Sequence, residues 1–358
     1  MTEARRQGQA TIEDVARAAG VSRAAVSKVL RNAYGVSPAM RDRVTTAIEE
    51  LNYRPRVAAR AMRGASFTIG FELPDFANPF FTRLLAGASA ALRDTRYQLI
   101  IAPAEPDAEE QEGYRALEAL VDRQVDGVVA VSPLVSQEWL ERLAAHTPVV
   151  MLGRHDRSAR YDSVVGDDTA GAGSVMRHLI DLGHERIAHL TRPEYVTVPG
   201  SGTPHALRLE AYLDCMAEAG LGDNVRVARC QEGEGRAYAA AAELLADGEP
   251  PTAIFAAHDE LAIGALRAVA ESGHDISVAG YDNILLAGYP RISLTTVEQS
   301  GEQMGERAVE MLLQRIGGRT EAVHEVITPE LVARESTREA KARRGRLRLA
   351  PAAVPWRR

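Results

Sequence analysis

The stretch TIEDVARAAGVSRAAVSKVL, residues 11–30, predicts two short helices joined by a tight turn. The apolar side chains of its first half recur at i, i+3, i+4 and i+7, the spacing of one helical face: Ile12, Val15, Ala16 and Ala19. Thr11 can cap this helix, and Gly20 can end it. Ser22 can cap the second helix, and a turn of only about three residues forces the two helices to cross at a steep angle, as in a helix-turn-helix.

The second predicted helix places Val26, Val29 and Leu30 on its buried side. Its outer side carries few polar groups and consists of Arg23, Ala24, Ser27 and Lys28. A third helix is predicted in VSPAMRDRVTTAIEELNY, residues 36–53, because Ser37 can cap it and an apolar stripe follows at helical spacing. Three short helices around one small core form a known DNA-reading unit, although the same pattern also fits a module that binds another protein.

A short helical segment is predicted directly after this unit, in YRPRVAARAMRG, residues 53–64. Pro55 breaks the preceding helix, about seven residues of high helix propensity follow, and Gly64 ends the segment. Since an isolated helix of that length is marginal in water, we expect it to form only when DNA or a second copy orders it.

The charge of the chain is strongly segregated. Residues 1–64 have 12 basic and 6 acidic side chains, residues 65–337 have 22 and 42, and residues 338–358 have 8 and 1. A basic head on an acidic body indicates that the head binds a polyanion, while the body discourages loose binding of nucleic acid elsewhere. A solvated basic arm is the alternative.

The head resembles the lactose-repressor (LacI) family of bacterial transcription factors. The resemblance rests on TIEDVARAAGVSRAAVSKVLRN, VSPAMRDRVTTAIEELNYRP and RVAARAM, and it continues through the body to about Thr337. In that family the second helix enters the major groove, and the hinge helices of a dimer wedge an apolar residue into the minor groove. The resemblance implies Met62 as the wedge, where Leu is usual, and Arg56 where Asn is usual. The implied DNA-contacting residues are Thr11, Ser22, Arg23, Ala24, Ser27, Lys28, Asn32, Arg56, Ala59 and Met62.

The body, from Ser66 onward, alternates short β-rich runs such as DGVVAVS and RIAHLT with helical patterns. Such alternation predicts parallel sheets covered on both faces, and the number of runs favours two lobes. The predicted fold class is therefore α/β: a three-helix head and hinge helix, followed by a two-lobed doubly wound parallel-sheet domain. The resemblance implies that these lobes are periplasmic-binding-protein-like.

The predicted domain boundaries follow from these patterns. They are residues 1–54 for the DNA-binding head, 55–64 for the hinge helix, 65–337 for the effector-binding and dimerisation domain, and 338–358 for a basic, disordered tail. Within the body, lobe 1 is predicted at about 65–165 and 297–322, and lobe 2 at about 166–296 and 323–337. The tail has no leucine heptads, so the expected assembly is a homodimer without a tetramerising coiled coil.

Polar side chains follow several of the apolar runs in the body, in ELPD, VVMLGR, IFAAHD and VAGYD: Asp75, Arg154, Asp259 and Asp282. Arg208 opens RLEAY on a later helix. Any one of them can equally be a cap or a surface charge. Together they predict a cleft whose carboxylates and guanidinium groups suit the vicinal hydroxyls of a sugar. Phe80 and Phe81 would add an apolar plate for the sugar ring, with core packing as the alternative for Phe81.

The resemblance implies a similar set of effector contacts. Family contacts map onto Phe80, Phe81, Arg208 and Asp282, whereas Asp75, Arg154, His258 and Asp259 match less uniformly used positions. Three departures bear on the ligand: His258 stands where Asn or Ser is common, Ala211 replaces a glycine, and the loop in ESGHDISVAGYDN is about four residues shorter than usual.

Catalysis is not supported by the sequence. It contains no dinucleotide fingerprint, no P-loop and no G-x-S-x-G elbow, and its nine histidines are scattered. GDDTAG, residues 166–171, could suggest a phosphate site, but its two aspartates would repel one, so capping by Asp167 or Asp168 is the preferred interpretation. Cys215 and Cys230 are interpreted as buried thiols, and no cofactor or metal is expected.

The predicted function is a homodimeric, allosteric transcriptional repressor that binds double-stranded operator DNA under the control of a small-molecule effector, a sugar or sugar derivative. It is expected in the bacterial cytoplasm, at the nucleoid, because neither a secretory signal nor an apolar membrane-spanning run is present. A sugar-binding receptor without DNA function and a sugar-metabolising α/β enzyme are the alternatives.

Overall fold

The computed structural model describes residues 10–30, 33–54, 65–104 and 112–341. This part of the chain divides into two compact units, which meet in sequence between Phe67 and Thr68. The first unit contains α1 (Ile12–Ala19), α2 (Arg23–Leu30) and α3 (Pro38–Glu50). They share one small core made of Val15, Ala16, Ala19, Val26, Val44, Ala47 and Tyr53.

The ends of these helices are capped as the sequence predicts. Thr11 and Asp14 cap α1 reciprocally, and Gly20 ends it in the left-handed region with φ of 64°. The Ser22 hydroxyl accepts from the backbone N–H of Ala25 at 3.2 Å, at the start of α2. Ser37 caps α3. The predicted three-helix head is therefore confirmed.

The second unit begins with a six-stranded parallel sheet in the order β11-β5-β4-β3-β1-β2. Its strands are β1 (Thr68–Leu73), β2 (Gln98–Pro103), β3 (Gly127–Val131), β4 (Val149–Leu152), β5 (Asp162–Gly166) and β11 (His324–Ile327). Its helices are α4 (Pro79–Leu92), α5 (Glu112–Asp122), α6 (Gln137–Ala144) and α11 (Gly301–Ile316). The central strands β1, β3, β4 and β5 are buried throughout, as expected for a sheet covered on both faces.

Helices α4 and α11 approach each other closely because glycine stands at both contact points. A Cβ atom at Gly87 would lie 1.8 Å from the carbonyl oxygen of Glu302. A Cβ atom at Gly305 would lie 1.9 Å from the carbonyl oxygen of Leu84. The pair therefore packs backbone against backbone.

The second sheet has four parallel strands in the order β7-β6-β8-β9. They are β6 (Ile187–Thr191), β7 (Arg226–Arg229), β8 (Ala253–Ala256) and β9 (Ser277–Ala279). The helices of this lobe are α7 (Asp168–Asp181), α8 (Pro204–Glu218), α9 (Glu234–Ala246) and α10 (Asp259–Ser272), with short 3-10 turns at Gly222–Asn224 and Leu285–Gly288. An antiparallel pair, β10 (Thr296–Glu298) and β12 (Glu330–Val332), completes the described elements. The predicted α/β fold class is confirmed.

Two predicted boundaries need correction. A crossing near residue 322 would put 324–327 in the second lobe, whereas β11 pairs in parallel with β5 of the first sheet. The chain leaves that sheet only after Ile327. As an edge strand with alternating exposure, HEVI gives little apolar signal from which its sheet could be assigned.

The predicted basic tail, residues 338–358, is also not separate from the body at its start. The backbone N–H of Arg338 donates to the Ser277 hydroxyl at 3.0 Å, and that of Ala340 donates to the Leu182 carbonyl at 2.8 Å. Residues 342–358 lie outside the described residues. Among the described helices, none combines the length and the apolar character needed to cross a membrane.

Candidate functional site

The outer face of α2 is the candidate DNA-reading surface. Arg23, Ala24 and Lys28 are exposed on it, and Ser27 is half-buried. The Arg23 guanidinium forms an ion pair with Glu13 at 2.9 Å, but its side chain remains 68% exposed. An exposed pair of this kind contributes little to stability, so it can exchange for a base edge or a phosphate at low cost.

Of the other predicted DNA contacts, some lie in the described part of the head and some lie outside it. The Thr11 hydroxyl donates to Asp14 at 2.7 Å, and Thr11 is exposed at the start of α1. Asn32, Arg56, Ala59 and Met62 lie outside the described residues.

The candidate effector site is a cavity of about 620 Å³ at the carboxyl ends of the strands of both sheets. Six of the eight predicted effector residues line it: Asp75, Phe80, Phe81, Arg208, His258 and Asp282. Phe80 and Phe81 pack edge to face, with ring centroids 6.1 Å apart. Of the four residues selected by their position after a strand, Asp75 and Asp282 line the cavity, and Arg154 and Asp259 do not.

Arg208 is the best-anchored charge in the cavity wall. Its Nε donates to the Asp168 carboxylate at 2.8 Å, and its Nη1 donates to the Ala257 carbonyl at 2.7 Å. The guanidinium carbon lies 3.7 Å from the centroid of the Tyr281 ring. Since these contacts come from different elements of the second lobe, they hold the guanidinium in one orientation.

Asp282 lies beside Arg208, with a carboxylate oxygen 3.8 Å from Nη1. Its Oδ1 also accepts from the Gln299 side-chain amide at 2.5 Å. Burial raises the pKa of Asp282 to about 6, and Arg208 and His258 oppose that rise. Its φ of 114° is rare for a residue with a side chain, a strain of the kind found where a carboxylate must point in a fixed direction.

His258 belongs to a chain of hydrogen bonds with Glu232, Arg192 and His205. Its Nε2 lies 2.5 Å from Glu232, and its Nδ1 lies 3.4 Å from Nε2 of His205. Arg192 binds the other oxygen of the Glu232 carboxylate. Burial acts to lower the pKa of His258, but Glu232 outweighs it and the pKa is raised. Burial and the neighbouring His258 place the pKa of His205 well below its usual value.

Arg154 does not line this cavity. Its Nε donates to Asp156 at 2.8 Å, and its Nη1 donates to the carbonyls of Pro133 and Val135 at 2.8 and 2.7 Å. Its described bonds thus tie together the loops after β3 and β4. The role of Arg154 as an effector contact therefore stays a prediction from the sequence, while its described donors are aimed at these loops.

Asp259 also lies outside the cavity lining. Its carboxylate accepts from the Thr296 hydroxyl at 2.6 Å and from the backbone N–H of Ile284 at 2.9 Å. Burial, together with Asp282, raises the pKa of Asp259 to about 8. Asp259 therefore fixes the start of α10 against β10, and its role as an effector contact stays a prediction from the sequence.

Several cavity residues were not selected from the sequence: Glu72, Asn78, Asp168, Arg192, His205, Glu232 and Gln299. Arg192 directly follows β6, so the same strand-end rule could have found it. Asp168 lies in the GDDTAG segment, where Asp167 caps α7 and Asp168 turns towards Arg208. The others become neighbours only through the tertiary fold.

One group of side chains in the described residues has the donor set of a metal site. Ligand atoms of Glu232, His258 and Glu260 lie within 4.8 Å of one another. However, the Arg192 guanidinium forms an ion pair with the Glu232 carboxylate and places a fixed positive charge beside it. That charge opposes a divalent cation at the same carboxylate.

Comparison with known proteins assigns the family. Residues 11–56 match the family described as "Bacterial regulatory proteins, lacI family", and residues 176–337 match the "Periplasmic binding protein-like domain". The ribose operon repressor of Escherichia coli K12 is 34% identical over 316 residues, which cover 86% of this chain and 93% of the relative. The chain belongs to the lacI family of bacterial regulatory proteins.

Other relatives agree with this family. The HTH-type transcriptional repressor PurR of Photobacterium profundum is 33% identical over 343 residues, covering 92% of this chain and 99% of the relative. Since these relatives are named as repressors, the prediction of a DNA-binding transcriptional regulator rather than an enzyme is confirmed.

Solved structures of this family superimpose on the chain. The lac repressor dimer bound to operator and the anti-inducer ONPF gives a TM-score of 0.77 at 27% identity, over 92% of this chain and all of that one. A lacI-family regulator of Enterococcus faecium with bound ribose gives 0.67 at 29% identity, over 76% of this chain and all of that one.

Proposed function

We propose that this lacI-family protein represses transcription as a homodimer bound to a near-palindromic operator, and that a small polyhydroxylated effector in the 620 Å³ cavity controls the operator affinity. The observation that carries the proposal is the pairing of Arg208 with Asp168 and Asp282 in the wall of that cavity. A guanidinium between two carboxylates offers donors and acceptors at adjacent points, as the vicinal hydroxyls of a sugar require.

The cavity volume and lining support a ligand of sugar size. Ligand pockets of about 300–1,000 Å³ take small organic molecules, and they combine apolar walls with a few fixed polar groups. Here Phe80 and Phe81 supply an apolar plate in the first lobe, and Arg208, His258 and Asp282 supply polar groups in the second. A ligand bound by both sets would stabilise one relative position of the lobes, and through it one level of operator affinity.

In the head, we propose that α2 lies in the major groove and that Arg23, Ala24, Ser27 and Lys28 are its reading residues. Arg23 can donate to a guanine edge, and Ala24 can contact a thymine methyl group. DNA contacts by Asn32, Arg56, Ala59 and Met62 stay predictions from the sequence. The proposed location is the bacterial cytoplasm, at the nucleoid.

The direct test is a fluorescence-anisotropy titration of the full chain on its own upstream DNA, with and without candidate sugars. We expect a sequence-specific complex whose affinity falls with salt by a slope of about 0.9 per phosphate contacted. Arg208→Ala should keep operator affinity but lose the sugar response, while the exposed Arg142→Ala on α6 should behave as wild type. The absence of a sequence-specific complex at every salt concentration would overturn the proposal.

A further inference from the structure

Glu72 is a buried carboxyl group that the proposed sugar contacts leave unused. It stands near the carboxyl end of β1, has 0% exposure and lines the cavity. Its Oε2 accepts from the backbone N–H of Val131 at 2.8 Å. Its Oε1 is buried and has no hydrogen-bond partner among the described residues. A buried acceptor without a partner is costly, so a partner supplied by a ligand would recover that cost.

Glu72 forms no ion pair within the part of the chain that the structure describes. Side chains of the first lobe that line the cavity are largely apolar and include Phe80, Phe81, Val131, Leu134 and Leu152. Burial raises the pKa of Glu72 to about 8, and Val131 and the nearby Arg154 lower it only in part. The described hydrogen bonds of Arg154 go to Asp156 and to two carbonyls, not to Glu72.

The cavity as a whole has a surplus of acidic groups. Five carboxylates line it, against two guanidinium groups: Glu72, Asp75, Asp168, Glu232 and Asp282 against Arg192 and Arg208. Both guanidinium groups are engaged by acids of the second lobe, Arg208 by Asp168 and Arg192 by Glu232. Even with His258 counted as a cation, Glu72 and Asp75 of the first lobe have no cationic partner in residues 65–104 and 112–341.

Those two first-lobe acids, Glu72 and Asp75, are three residues apart at the end of β1. Asp75 accepts from the backbone N–H of Ala77 at 2.8 Å and forms no ion pair among the described residues. Because the pKa of Glu72 is raised to about 8, this strand end becomes a fully negative site when a cation beside Glu72 favours its ionised form. An effector with a phosphate or carboxylate there would be repelled.

We propose that Glu72 binds a primary ammonium group of the effector, and that the effector is accordingly an amino sugar or amino polyol. The ammonium group supplies both the donor that Oε1 lacks and the positive charge that the first-lobe wall lacks. Charge-assisted N–H···O bonds are about twice as strong as neutral ones, and a low-dielectric wall strengthens them further. The inference rests on the proposed function, because it names the ligand class of the same cavity.

The test compares amino sugars with their neutral parents on the full chain by isothermal titration calorimetry. The probes are glucosamine, galactosamine and mannosamine, each with its parent hexose and its N-acetyl derivative, which keeps the substituent but removes the charge. We expect at least one amino sugar to bind about ten-fold more tightly than both neutral forms, the ratio that one charge-assisted bond provides. Glu72→Gln should reduce that ratio to near one, while Glu118→Gln, at an exposed position on α5, should leave it intact.

The inference is overturned if no amino sugar is preferred over its neutral forms, or if Glu72→Gln keeps the preference. Operator binding of each variant, measured by anisotropy in parallel, separates this result from the fate of the proposed function. Preference for neutral sugars with intact operator binding overturns the ammonium site alone. An intact amine preference without operator binding supports the ammonium site and overturns the repressor proposal.

Discussion

Replacing Glu72 with Gln should change the pH dependence of stability in a direction that the structure fixes. Burial raises the pKa of Glu72 to about 8 in the folded chain, from its ordinary value of about 4.5. The folded state therefore binds the proton more tightly than the unfolded state, and the stability from this group is lost as the pH rises from about 4.5 to about 8. At about 1.4 kcal/mol per pH unit, the free energy of unfolding of the wild type should fall by about 3 kcal/mol more than that of Glu72→Gln between pH 5 and pH 8.

The measurement is urea unfolding of both proteins without ligand, at half-unit steps from pH 5 to pH 8. As the pH rises, the free energy of unfolding of the variant should increase relative to that of the wild type, because the variant's amide has no charge to desolvate. Glu243→Gln, at an exposed position on α9, is the control and should track the wild type throughout. If Glu72→Gln differs from the wild type by the same free energy at pH 5 and at pH 8, the burial argument for Glu72 is refuted.

Three further predictions concern the head, the helix pair and the cavity. Arg23→Ala should relax base preference at one position per half-site by about 1–3 kcal/mol, measured by anisotropy on single-base operator variants; equal weakening on all sequences would make Arg23 a phosphate contact. Gly87→Ala should lower the free energy of unfolding by about 3 kcal/mol or more, because its Cβ would lie 1.8 Å from a backbone oxygen of α11, and wild-type stability in urea would contradict this. Asp282→Asn should weaken whichever sugar binds by about ten-fold with operator affinity retained, and unchanged calorimetric affinity would argue against a direct contact.

The head was predictable from the sequence because its signals are local. Caps, a left-handed glycine and helical spacing all act within a few residues, and α1 shows each of them between Thr11 and Gly20. The sheets were predictable as a class for a similar reason, since buried parallel strands are continuous apolar runs. The edge strand β11 was misplaced because its exposure alternates and because Val326 pairs with Val165, 161 residues earlier in sequence, so no local pattern identifies its partner strand.

The site was predictable only in part. Position after a strand selected Asp75 and Asp282, and the family resemblance added His258; all three line the cavity. The same rule cannot tell into which neighbour a side chain turns, so it also selected Arg154 and Asp259. Arg154 is held by carbonyls of a loop some twenty residues earlier, which only the tertiary fold brings near.

Glu72 was missed because no local pattern selects it. Within TIGFEL it reads as one polar residue in an apolar strand, and no motif marks it. Its significance depends on Oε1, which has no partner among the described residues, and that property exists only once the fold has placed its neighbours.

The backbone contact between α4 and α11 has a consequence for synthesis on the ribosome. The first lobe lacks α11 and β11 until the chain has passed Ile327, although its first five strands end at Gly166. Meanwhile the apolar side chains of α4 that α11 covers, such as Leu84 and Ala88, have no cover. At bacterial elongation rates this interval is on the order of ten seconds. Chaperones would be needed most during that interval, while the first lobe is incomplete.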